Sequence, residues 1–101
     1  MAFKPIVVEK EIKGQVFKAQ FNGISAYLDA RSETSGNERK AADYIFKHVI
    51  IDPVIKDMDE FFGRDTELFA EVLAFGGGVL AGEDEYFPEA EEKGTKGDSK
   101  K

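Results

Sequence analysis

One stretch, residues 46–82, constrains the fold more than any other: FKHVIIDPVIKDMDEFFGRDTELFAEVLAFGGGVLAG. It holds most of the large apolar residues of the 101-residue chain, punctuated by an acidic turn and a glycine triplet. Its last part predicts a helix over 66–81, capped by Asp65 or Thr66. Phe69, Val72, Leu73, Val79 and Leu80 line one broad face, and Leu68 and Phe75 widen it. A helix with so wide an apolar surface is central either to the core or to an interface. Gly76-Gly77-Gly78 argues against it, since each glycine costs roughly 1 kcal/mol against alanine inside a helix. Val79-Leu80 nevertheless returns in phase with Val72-Leu73. The triplet is therefore expected to lie inside the helix and to let another part of the backbone come close.

Before that helix, Val49-Ile50-Ile51 leads into Asp52-Pro53. A residue preceding proline is biased away from helix, so a helix over 38–49 should stop near His48 or Val49. Ala42, Ile45, Phe46 and Val49 give that helix a strict i, i+3, i+4, i+7 face, with Ser35 or Asn37 as its cap. Three β-branched residues then form an extended bridge, too apolar to be exposed. Pro53 is expected in the first turn of a further helix capped by Asp52, with Ile55, Met58 and Phe62 on one face, Phe61 beside it, and Gly63 as its terminator.

The N-terminal part reads as extended. Ile6, Val8 and Ile12 alternate with Val7 and Glu9, and Val16, Phe17 and Phe21 follow the turn signal Lys13-Gly14. A lone hairpin is marginal in water, so it must pack on the helices that follow. Between hairpin and helices, Asn22 is expected to cap a short helix over 23–31 with an apolar stripe of Ile24, Tyr27 and Leu28. The fold expected is mainly α (α+β): an N-terminal hairpin on about four short helices in one domain, 1–82, with a flexible acidic tail, 83–101. The tail composition favours disorder. Tyr86-Phe87-Pro88 is its exception, either a docking motif or a segment folded back on the last helix.

Charge and cysteine content narrow the function classes. Twenty Asp and Glu against fourteen Lys and Arg give a formal charge of -6. No basic block offers a phosphate backbone a footprint, which disfavours nucleic acid. No cysteine is present, so neither a disulfide framework nor a thiolate site can form. No signal-peptide core and no run of about 18 apolar residues is seen, so a chain working in the cytoplasm is expected.

Nothing in the residues assembles an active site. His48, the single histidine, sits at a helix end with no nucleophile or second ligand in pattern, a place where histidine usually serves helix electrostatics. Asp57, Asp59 and Glu60 lack the alternating pattern and terminal glutamate of a calcium loop and read as a solvated helix face. AFGGGVLAG is neither a P-loop nor a dinucleotide fingerprint. No catalytic residue, cofactor or metal is expected.

The succession of Val-Ile-Ile-Asp-Pro, an acidic Asp57-Met58-Asp59-Glu60, an apolar helix near 68–80 and an acidic tail containing Gly and Lys resembles the short tail assembly chaperones of long-tailed bacteriophages and prophages. The similarity covers about residues 5–85; the glycine triplet and Tyr86-Phe87-Pro88 have no counterpart in it. It implies a non-enzymatic protein of the host bacterial cytoplasm, absent from the mature virion. Such a protein binds the long, helical, apolar tape measure protein and keeps it soluble. A frameshifted extension of some members recruits tail tube protein, and Lys100-Lys101 is compatible with a slippery codon pair. A homo-oligomer is expected from the small size of the core and from the family. Docking of a helix into a groove would use Met58, Phe61, Phe62, Phe69, Val72, Phe75 and Val79, with Tyr86 and Phe87 as a second element. For each of these the competing expectation is a place in the monomer core. Two other functions fit the residues: a structural virion component at the head–tail connector or tail tube, and a small regulatory interaction protein.

Overall fold

The computed structural model describes residues 4–87. The architecture is α+β: a three-stranded antiparallel sheet in the order β1-β2-β3, with helices packed on it. Strands β1 (Ile6–Ile12) and β2 (Gln15–Phe21) form the expected hairpin, from Ile6 opposite Phe21 to Ile12 opposite Gln15. Lys13 and Gly14 both have positive φ, 52° and 82°, the condition for a two-residue turn that matches strand twist. One face of the hairpin carries Ile12, Phe17 and Ala19 into the core, while Val7 and Val16 on the other face are exposed.

The extended bridge after the second helix is a third strand, β3 (Ile50–Asp52), paired antiparallel to β2 with an irregularity between Lys18 and Ala19. Ile50 is buried but Ile51 is exposed, so the bridge is only half as enclosed as its composition implied. Alternation along a strand puts neighbours on opposite faces.

Helix α1 (Ile24–Thr34) departs from expectation. Its N-cap is Gly23, without a side-chain cap. Asn22 accepts a hydrogen bond from Gln20 and donates to the carbonyl of His48 instead. The stripe expected to be buried faces outward: Ile24 is 66% exposed and Leu28 56%. Only Ala30 is buried, and α1 packs beside α2 (Glu38–Tyr44).

Asn37 caps α2 through its side chain, as one of the two expected residues. The segment continues as a π-helical turn (Ile45–Val49) and stops where the proline rule placed it. All four residues of the expected face, Ala42, Ile45, Phe46 and Val49, are in the core.

No helix begins at Pro53. The backbone is still extended at Asp52, which pairs with Lys18, and the Asp52–Pro53 peptide is cis. Helix α3 (Met58–Phe62) starts later, with Asp57 as its cap, accepting from the N–H of Glu60. Ile55 therefore enters the core from a loop rather than from the helix face. Gly63 ends α3 at φ 60°.

Helix α4 (Thr66–Leu80) runs straight through the glycine triplet, with Asp65 capping the N–H of Leu68. It lies against both the sheet and the π turn. What comes close at the glycines is side chain rather than backbone. A methyl at Gly76 would collide with the Ile45 side chain and stand 3.2 Å from Ile50 Cδ1; at Gly78 it would collide with the Tyr86 ring. Beyond α4 the packed unit runs past residue 82. A 3-10 turn (Asp84–Tyr86) folds back, with Tyr86 edge-on to Phe75 at 5.4 Å and Phe87 edge-on to Phe21 at 5.8 Å. The packed unit thus reaches 87 rather than 82, and of the two expectations for Tyr86 and Phe87 the segment folded back on the last helix is the one seen, because both rings find apolar partners there. The disorder expected for 88–101 falls outside the described residues.

Candidate protein-binding groove

The nine residues expected to bind a partner separate into three groups. Val72, Phe75 and Val79 are enclosed, with Phe75 1% exposed, and Phe62 is buried with them. They hold the sheet and helices together: for Val72, Phe75 and Val79 the burial fits the competing expectation, a place in the monomer core. Phe62 also borders a hollow. Tyr86 and Phe87 are half-buried against the far end of α4 and the hairpin. Met58, Phe61 and Phe69 are half-buried at the edge of the core.

Met58, Phe62 and Phe69 come together in one groove of about 460 Å³ between α2, α3 and the first half of α4. Ala42 and Leu73 complete its apolar floor, and Glu38, Arg39, Asp59, Asp65 and Thr66 stand around it. The floor rests on an aromatic cluster. Phe62 meets Phe46 at 5.5 Å, Phe69 at 5.4 Å and Phe61 at 4.8 Å, and Phe61 reaches Phe17 on the hairpin at 6.3 Å. Edge-on and tilted ring pairs of this kind add to the burial energy and fix ring positions. The groove is therefore backed by rigid core. Phe61 supports it from behind instead of lining it.

Leu73 and Ala42 are the apolar lining side chains that the sequence did not single out as binding. Leu73 follows Phe69 by one helical turn and shared its expected face. Ala42 could not be found in advance, because its exposure to the groove depends on how α2 and α4 lie together.

A second, larger hollow of about 670 Å³ adjoins the first, sharing Arg39, Met58 and Asp59 and extending to Val54 and Lys56. Val54 is 69% exposed. The charges there are mixed: Lys47, Lys56 and Arg39 face Asp43, Asp57 and Asp59.

Ion pairs hold the ends of the groove. Lys13 of the hairpin turn lies 3.2 Å from Asp65 and 3.1 Å from Glu67, tying the turn to the start of α4. Hydrogen bonds to Glu67 and Asp65 raise the Lys13 ammonium above its ordinary value. The N–H of Leu68, then Lys13, lowers the Asp65 carboxyl. Arg39 pairs with Asp43 one turn along α2 at 3.3 Å.

The remaining candidates for chemistry stay apart. His48 is exposed, its ring tilted on Tyr44 at 4.7 Å, beside a polar hollow that also contains Lys40, Asp43 and Lys47. Asp57 is a helix cap. Among the described residues no group of three or more His, Cys, Asp or Glu could hold a metal ion. Likewise among them, no helix is long and apolar enough to cross a membrane. No protein-family model, curated protein or solved structure matches this chain.

Proposed function

We propose that this protein is a phage tail assembly chaperone: it binds the tape measure protein, keeps it soluble, and helps bring tail tube protein to it during tail morphogenesis. One observation carries the proposal. An apolar groove with an aromatic floor, open between three helices, sits on a small body of net charge -6. A hollow of that character can receive the apolar stripe of another chain's helix, and the surplus charge of the body resists aggregation of the pair. The order of extended Val-Ile-Ile-Asp-Pro, acidic turn and apolar helix, read from the sequence, supports the same assignment. On this reading the protein works in the host bacterial cytoplasm, as a homo-oligomer that leaves before the virion is complete.

The test is co-expression with the tape measure protein of the same gene cluster, affinity capture, and light scattering of the captured material. A defined complex is expected, with the chain absent from purified particles by mass spectrometry. Failure to associate, with the chain present in particles at fixed stoichiometry, would replace this assignment by a structural virion component.

A further inference from the structure

We propose that the groove between α2, α3 and α4 selects a basic amphipathic helix, whose apolar stripe seats on Phe62, Phe69 and Leu73 while its lysines or arginines face Glu38 and Asp59. This names the kind of segment the groove takes; only the identity of the protein carrying that segment rests on the tape measure assignment.

Charge complementarity singles out this occupant. Three carboxylates, from Glu38, Asp59 and Asp65, stand around an apolar floor against one guanidinium, that of Arg39. Arg39 is already paired with Asp43, and Asp65 with Lys13. Glu38 and Asp59 are exposed and make no ion pair among the described residues. Each lies in the first turn of its helix, which suits the helix dipole. The dipole does not require both to line one groove, and they do so from two different helices. An acidic helix entering here would meet like charge beside a low-dielectric floor; a basic one would gain ion pairs and a faster encounter.

The geometry also fits a helix. On the α4 side the groove runs from Thr66 to Leu73. Seven residues of helix advance about 10 Å, the same as the i to i+7 span of an apolar stripe on a partner. Phe69 and Leu73 are spaced i, i+4, the ridge spacing that interdigitates with a second helix. The adjoining hollow, which carries Lys47 and Lys56 among its carboxylates, has no acid excess. Selection for basic flanks therefore belongs to the groove and not to the whole concave side.

Fluorescence anisotropy of labelled peptides on the full chain tests this. Three helical peptides of about 18 residues, roughly 27 Å long, are compared. One carries a Leu/Phe stripe flanked by lysines, one the same stripe flanked by glutamates, and one the lysine composition with the stripe scrambled. The lysine-flanked amphipathic peptide is expected to bind at least about tenfold tighter than either control at low salt, with the advantage over the glutamate peptide shrinking as salt rises. E38K with D59K is expected to abolish that preference, and the milder E38Q with D59N to reduce it, at an unchanged circular dichroism spectrum. Equal binding of lysine- and glutamate-flanked peptides, equal binding of the scrambled peptide, or a preference unmoved by both double variants would overturn the proposal. Tape measure capture separates the two claims. Capture without peptide discrimination removes the groove's selectivity and leaves the chaperone assignment. Peptide discrimination without capture does the reverse.

Discussion

Gly76, Gly77 and Gly78 are adjacent and helical, yet the space beside each differs. Helix propensity alone predicts a gain of up to about 1 kcal/mol from alanine at any of them. Space decides otherwise. At Gly77 the new methyl would stand 3.8 Å from Ile45 Cδ1, an ordinary contact. G77A is therefore expected to stabilise the fold, by about 0.5–1 kcal/mol in urea unfolding. At Gly76 the methyl would strike Cγ2 of Ile45, a buried β-branched side chain that cannot swing away. G76A is expected to destabilise by about 1–3 kcal/mol, as overpacked core sites do. At Gly78 the obstacle is the Tyr86 ring, which packs edge-on on the enclosed Phe75, so G78A should displace the 3-10 turn, uncover Phe75 and destabilise by about 1–3 kcal/mol. Opposite signs at 76 and 77 are the outcome that checks the packing. Phe75 follows the same logic. With the ring fully enclosed, F75D is expected to cost at least roughly 3–5 kcal/mol and to abolish the folded state rather than a binding surface. Loss of cooperative thermal unfolding is the readout.

At the scale of elements, the sequence reveals most where a local rule and the tertiary demand agree. The hairpin has its turn pair, α2 its four-residue face, and α4 its acidic cap and phase. All are legible before any packing is known. Three features are not. The stripe of α1 reads as core because Ile24, Tyr27 and Leu28 are spaced i, i+3, i+4, but α1 packs beside α2, and among the described residues Ile24 and Leu28 stay exposed while Tyr27 is half-buried. Pro53 reads as a helix start because proline suits a first turn, but strand pairing to Lys18 keeps the chain extended through Asp52. Residues 83–87 read as tail by charge while Tyr86-Phe87 left folding back open; the room at Gly78 and the ring of Phe75 are what seat Tyr86. The groove was half legible: Met58, Phe62 and Phe69 could be named, while its acidic rim depends on the angle between helices.

The junction of hairpin turn and α4 gives this scale its test. Asp65 both caps α4 and pairs with Lys13. Its folded carboxyl lies below the ordinary 3.8, so its contribution is complete above that pH and is lost as pH falls through the lowered folded value. The Lys13 ammonium lies above 10.5, so its contribution is complete below that pH and is lost as pH rises through the raised value. D65A is expected to lower Tm at pH 7, and the gap to wild type should narrow as pH falls below about 4. Both groups are solvent-facing, so salt should reduce the Lys13 part and spare the cap. A gap independent of pH down to full protonation would contradict the assignment.

Taken together, the described residues form a three-stranded sheet and four α-helices joined through an aromatic core, with an apolar hollow opening on the helical side. The side chains that close the core, Val72, Phe75 and Val79, come from the same helix as those that floor the groove, Phe69 and Leu73. One helix thus serves stability on one face and the proposed docking on the next. These roles can be separated by substitution, since Leu73 is only half-buried whereas Phe75 is enclosed. The central measurement is the fraction of tape measure protein remaining in the supernatant when it is co-expressed with the wild-type chain or with L73E, the fold of the variant being verified by circular dichroism. The account predicts that the wild-type chain keeps the tape measure protein soluble and that the folded L73E leaves it in the pellet. The tape measure protein remaining insoluble with the wild-type chain, or equally soluble with both, would contradict it.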